Sequence, residues 1–502
     1  MTAFSVTRRR LLVATAVGAG ALALSACGSS ATVTAATSTA STASAAATTA
    51  AATDAAAARS TSAAATTHAA GSATAQKAIS SSATVASAAA VKPGAKELRI
   101  TWFGAGTTSG VDYFGVNAKA FATKNPTLTV SVEPVSGSYD DKVLTDVAGG
   151  TPPDVFQQGG RDFGLFVSKG VLQDLSALIA RDHYDTSDFF AVCMQLTTWK
   201  GKVYGLPDDL NLLGLYYNKD LFDKAGVAYP PTTWGAPNWT WQDFEDTARK
   251  LTVTNGGATT QFGADFAGLD PTGIAPVIWS YGGDYLDANW TKSLMDQPAA
   301  EAAIGYLQTL MIKDKVLPTA ADLAKQGSNP RLFAGTVAMR VAGAYFSNPA
   351  SQSIKSFSWD VAALPSGTAG AFSATGGSQG SSWSIAAAGK QQDDAWQLTQ
   401  WMASPQSLTT LTQHGWIGAR KSIGTSAVYL DPKQLPAHRK VFVDGTNHIK
   451  IIPLIADWSD LNTAMSKGLA GVWAGTATPQ DAGSAIAQQV DGLLKQLPAS
   501  ER

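Results

Sequence analysis

Gly201-Lys202-Val203-Tyr204-Gly205-Leu206-Pro207-Asp208-Asp209, then Leu210-Asn211-Leu212-Leu213-Gly214-Leu215-Tyr216-Tyr217-Asn218-Lys219-Asp220, decides the reading of this chain. The first part is a turn at Lys200-Gly201-Lys202, a short alternating run and a proline. Two adjacent carboxylates follow. The run 210–217 is apolar except at Asn211 and Gly214, which predicts a strand buried on both faces. Residues 221–225 predict a short helix stopped by Gly226. A strand covered on both faces belongs inside an α/β layer structure rather than at a solvated edge.

The pattern Gly-Lys-x-Tyr-Gly-Leu-Pro, an acidic pair, and Leu-Tyr-Tyr-Asn-Lys-Asp-Leu-Phe-x-Lys-Ala-Gly resembles the hinge-crossing segment of extracellular solute-binding proteins. These serve bacterial ABC importers, and the resemblance is to the carbohydrate type. It extends over residues 98–494. It implies an α/β, two-lobed periplasmic-binding-protein-like fold, type II-like, with lobes joined by crossing strands around a cleft. It also implies that Asp208 and Asp209 face that cleft. Adjacent residues on a strand point to opposite faces, so at most one of the two is expected to enter it directly. Asn211, just beyond the pair, joins the candidate set.

The folded part is bounded by what precedes it. Arg8-Arg9-Arg10 followed by a modest apolar stretch, 11–24, fits an export signal and is too short to span a membrane. Thr7-Arg8-Arg9-Arg10-Leu11-Leu12 resembles a twin-arginine signal, but Val13 stands where a basic residue is usual, so the twin-arginine and Sec routes both stay open. Leu24-Ser25-Ala26-Cys27 resembles a lipobox, which implies lipidation of Cys27 and cleavage before it. A stray cysteine is the competing reading. Two or more acyl chains hold a protein at a bilayer where one does not. The expected location is therefore the outer face of the cytoplasmic membrane, reached by export and kept by the lipid anchor. Residues 28–96 are almost wholly Ala, Thr and Ser, cannot bury enough surface to offset ordering, and read as a disordered tether. The other cysteine, Cys193, lacks a histidine partner and reads as a small buried hydrophobe.

About 400 residues remain, more than one core normally holds, so two lobes are expected. The partition assigns 97–209 and 379–440 to the first lobe and 210–378 and 441–502 to the second. Apolar spacing from residue 98 to residue 156 reads β-α-β-α-β, which implies parallel strands with right-handed crossovers. Gly-x-x-Pro-Asp-Val at 150–155 resembles the same family, where the following loop, Gln157-Gln158-Gly159-Gly160-Arg161, lines the cleft. Ligands of open α/β sheets do bind beyond the carboxyl ends of strands. Later helices are expected from the capping box Thr240-x-x-Asp243, from Asp393-Asp394, from Ser404-Pro405, and from Thr478-Pro479 with Ile486, Val490, Leu493 and Leu497 as its buried stripe.

Sugar rings carry apolar C–H faces and a belt of hydroxyls, which aromatic planes and polar side chains match respectively. Trp102, Trp279, Trp383, Trp416 and Trp458 lie near expected loop ends. The resemblance adds Tyr281 beside Trp279, Tyr345 after the Phe-x-x-Gly-x-x-Ala-Met segment, and Arg420 in Gly-x-x-Gly-x-Arg, where Gly418 replaces the usual proline. Gln157, Gln158, Arg161, Asp208 and Asp209 supply the hydrogen-bonding side.

Catalytic and cofactor readings are weaker. Gly376-Gly377-Ser378-Gln379-Gly380 matches G-x-S-x-G, but a strand follows where a nucleophile elbow needs a helix. The loop after residue 103 lacks the third glycine of a dinucleotide fingerprint. The five histidines form no metal-ligand spacing, so no metal and no cofactor are expected. A net charge of -1 gives no reason to expect nucleic acid. The sequence thus points to a monomeric, non-enzymatic lipoprotein that captures a sugar and passes it to ABC permease subunits. The same fold with a non-sugar solute, an extracellular hydrolase, and a surface adhesion or sensor module are the alternatives.

Overall fold

A computed structural model describes residues 95–104, 107–108, 111–135, 138–374 and 380–501. The export signal, Cys27, nearly all of the 28–96 segment and most of the 376–380 motif lie outside them. Among the described residues no helix is long and apolar enough to cross a membrane.

Ten strands make two sheets: β1 (Lys96–Phe103), β2 (Leu128–Val135), β3 (Val155–Gly159), β4 (Leu206–Pro207), β5 (Leu213–Asn218), β6 (Val253–Asn255), β7 (Ala258–Phe266), β8 (Val337–Gly343), β9 (Trp359–Ala362) and β10 (Ser381–Ile385). The first sheet runs β2-β1-β3-β10-β4 and the second β6-β7-β8-β5-β9. β1 pairs in parallel with β2 and β3, as two consecutive β-α-β crossovers require. β10, arriving from the far end of the sequence, runs antiparallel to β3 and β4. In the second sheet β5 is an interior strand, antiparallel to both β8 and β9, and buried throughout. That matches the apolar run that opened the reading, although the strand begins at Leu213, three residues later than expected.

Helices start at capped residues, the one at Asp270 without having been expected there. Thr240 and Asp243 form a reciprocal capping box on α1 (Trp241–Leu251). Asp270 accepts from Gly273 N to open α2 (Pro271–Ser280), with Pro271 in the first turn. The last helix, α3 (Pro479–Gln496), buries Ile486, Val490 and Leu494; Leu493, expected in the stripe, is only half-buried. The spacing of 3.6 residues per turn carries the stripe from Val490 to the residue four further on.

Two expectations are corrected. Gln157 and Gln158 are not in a loop: they lie on β3, and the chain then turns through a short 3-10 helix, Gly160–Asp162. The stretch before residue 440 is not part of the first lobe. His438 Nδ1 lies 2.7 Å from Asp360 Oδ2 on β9, and Arg439 faces the Tyr429 ring beside Tyr216 of β5. The return to the second lobe therefore precedes residue 429. The polar surface of 430–440 gives no periodic signal of which sheet it covers.

Candidate ligand-binding site

A cavity of about 500 Å³ is walled by residues of both sheets and their loops. The first-sheet wall begins with Gln157. Its Nε2 donates to Asp208 Oδ2 at 2.8 Å and to Ser381 Oγ at 3.1 Å, and Phe103 N donates to its Oε1 at 3.3 Å. The Tyr139 hydroxyl fixes the strand behind it, donating to Gln157 O at 2.7 Å. Alternation along β3 sends Gln157 into the cavity and Gln158 the other way, where its Nε2 closes on Gly159 O.

Asp208 and Asp209 both line the cavity, contrary to the expectation that only one would. The alternation rule fails here because the strand has already ended at Pro207. Asp209 Oδ1 accepts from Ser381 N at 2.6 Å and from Ser381 Oγ at 2.5 Å. Asp208 O accepts from Ala419 N, and Asp209 bridges to Gly418. The pair thus ties together three sequence-distant segments, 206–209, 380–382 and 417–419. The two residues are 1% and 3% exposed. Burial, then the charge of Asp208, pushes the Asp209 carboxyl up to about 8; burial raises Asp208 as well. Burial and like charge together favour a protonated pair.

A second acidic group sits at Asp140 and Asp162. Burial, then Asp162, pushes Asp140 up to about 7, against the opposing pull of Arg161. Arg161 Nε lies 3.1 Å from Asp162 Oδ2. From the second lobe come Asp270, raised by burial, and Tyr345. Asn211 is buried and holds the Tyr345 loop, its Oδ1 accepting from Tyr345 N at 3.4 Å. Gly343 makes that packing feasible: a Cβ there would lie 2.7 Å from the Tyr345 ring and 2.8 Å from Asn211 Oδ1.

The aromatic wall is Tyr113, Phe114 and Trp416, with Phe103 at the rim and 63% exposed. Tyr113 stands 4.5 Å from Phe114 and 6.4 Å from Trp416 between ring centres. Trp102 and Trp383, both expected to meet ligand, instead back this wall: they pack on Phe114 at 5.5 and 5.1 Å and are fully buried. Trp279, Tyr281, Trp458 and Arg420 are not among the lining residues. Trp279 donates to Asp284 under Lys450, Tyr281 stacks near Tyr306, and Trp458 meets Tyr285 edge-on. Arg420 donates to Ala403 O and to the Tyr184 hydroxyl, with its guanidinium 4.1 Å over Phe189. Large aromatics and paired arginines fill cores as readily as clefts, and loop proximity does not separate the cases.

Of the candidates, Gln157, Arg161, Asp208, Asp209, Tyr345 and Trp416 come together in the cavity. Asp140 and Asp270 were missed. Both stand at helix starts, Asp140 in the first turn of the helix Tyr139–Ala148 and Asp270 as an N-cap before proline, and a helix-start reading of those positions would have found them. Among the described residues no group of three or more His, Cys, Asp or Glu is placed to hold a metal ion.

Two sheet-centred lobes with a polar and aromatic cavity walled from both define a protein built to enclose a small ligand. The chain belongs to the family of bacterial extracellular solute-binding proteins, whose sequence profile matches residues 104–408. Membership makes it an exported protein of a family that binds solutes. It is similar to a protein of Brucella abortus named only as a binding protein, 26% identical over 412 residues, 81% of this chain and 96% of the other. It is also similar to the lactose-binding protein of Rhizobium radiobacter, 25% identical over 395 residues, 75% of this chain and 89% of that one. An ABC substrate-binding protein of Listeria monocytogenes, solved with cycloalternan, shares the fold: TM-score 0.72 at 24% identity, covering 80% of this chain and 99% of that one.

Proposed function

We propose that this protein captures a sugar or oligosaccharide in the cleft, closes its two lobes around it, and delivers it unchanged to the permease of an ABC importer. The observation that carries this is the pairing of an aromatic wall, Tyr113, Phe114 and Trp416, with a hydrogen-bonding wall of Gln157, Asp208 and Asp209 in one cavity. A pyranose presents the complementary surfaces, C–H faces to the rings and hydroxyls to the polar groups. The lactose-binding relative supports the choice of solute class. Ligand that touches both lobes stabilises the closed arrangement and shifts the population toward it.

Hydrolysis is disfavoured by geometry. A glycosidase needs two carboxyl groups flanking one bond at a separation that admits substrate. Asp208 and Asp209 are neighbours in sequence, both fastened to the Gln157–Ser381 cluster. In this reading the crossing strands carry the hinge, Cys27 bears the lipid that keeps the protein at the membrane, and one copy of the chain meets the permease. Titration calorimetry of the protein against a panel of mono- and oligosaccharides tests it. Micromolar binding without turnover is expected, and silence toward every carbohydrate would remove the sugar assignment.

A further inference from the structure

The cavity lining carries five carboxyl groups, Asp140, Asp162, Asp208, Asp209 and Asp270, against a single guanidinium, Arg161, which is already paired with Asp162. Charge alone does not name a ligand. The hydrogen-bond inventory is more informative. Carboxylates only accept, whereas a neutral sugar hydroxyl both donates and needs a donor for its own lone pairs. Most side-chain donors on these walls are already engaged, the exceptions including Trp416 Nε1, which is buried without a partner. Gln157 Nε2 is committed to Asp208 and Ser381, and the Ser381 hydroxyl lies against Asp209. Asp208, almost wholly buried on the cavity wall, has an Oδ1 with no partner beyond the neighbouring Asp209 group. The walls therefore carry five carboxyl groups against one guanidinium, with one unmatched buried acceptor, Asp208 Oδ1, and one unmatched buried donor, Trp416 Nε1. An ammonium group is the complement: three donors, one positive charge, no acceptor.

We propose that the cleft takes a sugar carrying a protonated amino group, with the ammonium placed on the carboxyl walls and the ring against Tyr113, Phe114 and Trp416. This deepens the sugar-binding reading and rests on it. The walls themselves show the need for a cation. Exclusion of water and crowding by like charges raise Asp209 and Asp140, so each is at least partly protonated near neutral pH. An incoming ammonium supplies the positive charge those protons supply in its absence, so binding releases protons. The same linkage makes a neutral sugar compete without proton release.

Calorimetry of the full chain at about pH 5.5, where the amines are charged before they bind, in two buffers of different ionisation enthalpy, decides this. The ligands are the β-1,4-linked glucosamine disaccharide, its N-acetylated counterpart and cellobiose, which differ in the amine alone or nearly so. The amine disaccharide is expected to bind at least about tenfold more tightly than cellobiose, with proton release, and with a margin that shrinks at high salt. Equal or tighter binding of the neutral disaccharides overturns the inference and leaves the sugar reading standing. Silence toward all three overturns the sugar reading, and the inference falls with it. Asp140→Asn and Asp270→Asn each remove one group able to face the ammonium as an anion, and an asparagine in place of Asp270 can still cap its helix. Each is expected to reduce the amine-to-cellobiose affinity ratio. A ratio unchanged in both variants overturns the inference.

Discussion

Replacing Asp209 by asparagine tests whether the acidic pair at the lobe crossing holds a proton at neutral pH. In Asp209→Asn the side-chain carbonyl would keep the Oδ1 acceptor that takes Ser381 N and Oγ, and the new amide would stand in for the pair's proton. The variant is a permanent copy of the protonated pair. The sign follows from the raised carboxyl. The folded value is about 8, and that of an unfolded aspartate is about 3.9. Between those values the folded state binds the extra proton, so its stability is greatest at the acid end and falls as pH rises. One pH unit in that window is worth up to about 1.4 kcal/mol, so going from about pH 5 to about pH 7 costs the wild type up to about 2.7 kcal/mol from this site. The amide does not titrate, and contributions from distant groups cancel in the comparison. Equilibrium urea unfolding of both ligand-free proteins from about pH 5 to about pH 9 reads the difference. The wild type should lose stability relative to the variant up to about pH 8 and run parallel above it. Parallel profiles throughout would show that the pair is ionised in the fold and refute the protonated pair.

The remaining predictions concern the walls and the frame. Trp416→Ala should weaken sugar binding by at least about tenfold in calorimetry, since the ring lines the cavity; Trp458→Phe, in the core behind Tyr285, should leave affinity within about threefold while lowering the melting temperature. Gly263→Ala should cost about 3 kcal/mol or more in urea unfolding, because its Cβ would fall 1.9 Å from Ala248 O, and backbone cannot swing aside as a side chain can. Thr240→Ala should cost about 1 kcal/mol by removing the cap of α1, with sugar affinity unchanged. Cys27→Ser should move the protein from the membrane fraction to the medium if Cys27 carries the lipid; unchanged fractionation would remove the anchor.

Local chemistry made much of the frame readable before any coordinates. The apolar run around Leu215, the capping pairs at Thr240–Asp243 and Thr478–Asp481, and the glycine stop at Gly226 each follow from a few neighbouring residues. These signals need no partner from elsewhere in the chain, so sequence by itself settles them. The acidic pair was singled out by the family resemblance of the segment around it, since two aspartates after a short strand could equally sit in a solvated turn. The identity of the aromatic wall was not. Phe114 and Trp383 are equally apolar in sequence, yet one faces the cavity and the other backs it. Register puts Trp383 on the same face as Gln157, and it is Phe114, from far earlier in the chain, that covers it and takes the place on the cavity. Likewise Arg420 looked available until Tyr184, Phe189 and Ala403 enclosed it. Sequence determined the elements, the two-lobed class and the polar crossing. Only the tertiary structure decided which side chains face the cleft, because that choice is made by contacts between segments far apart in the chain.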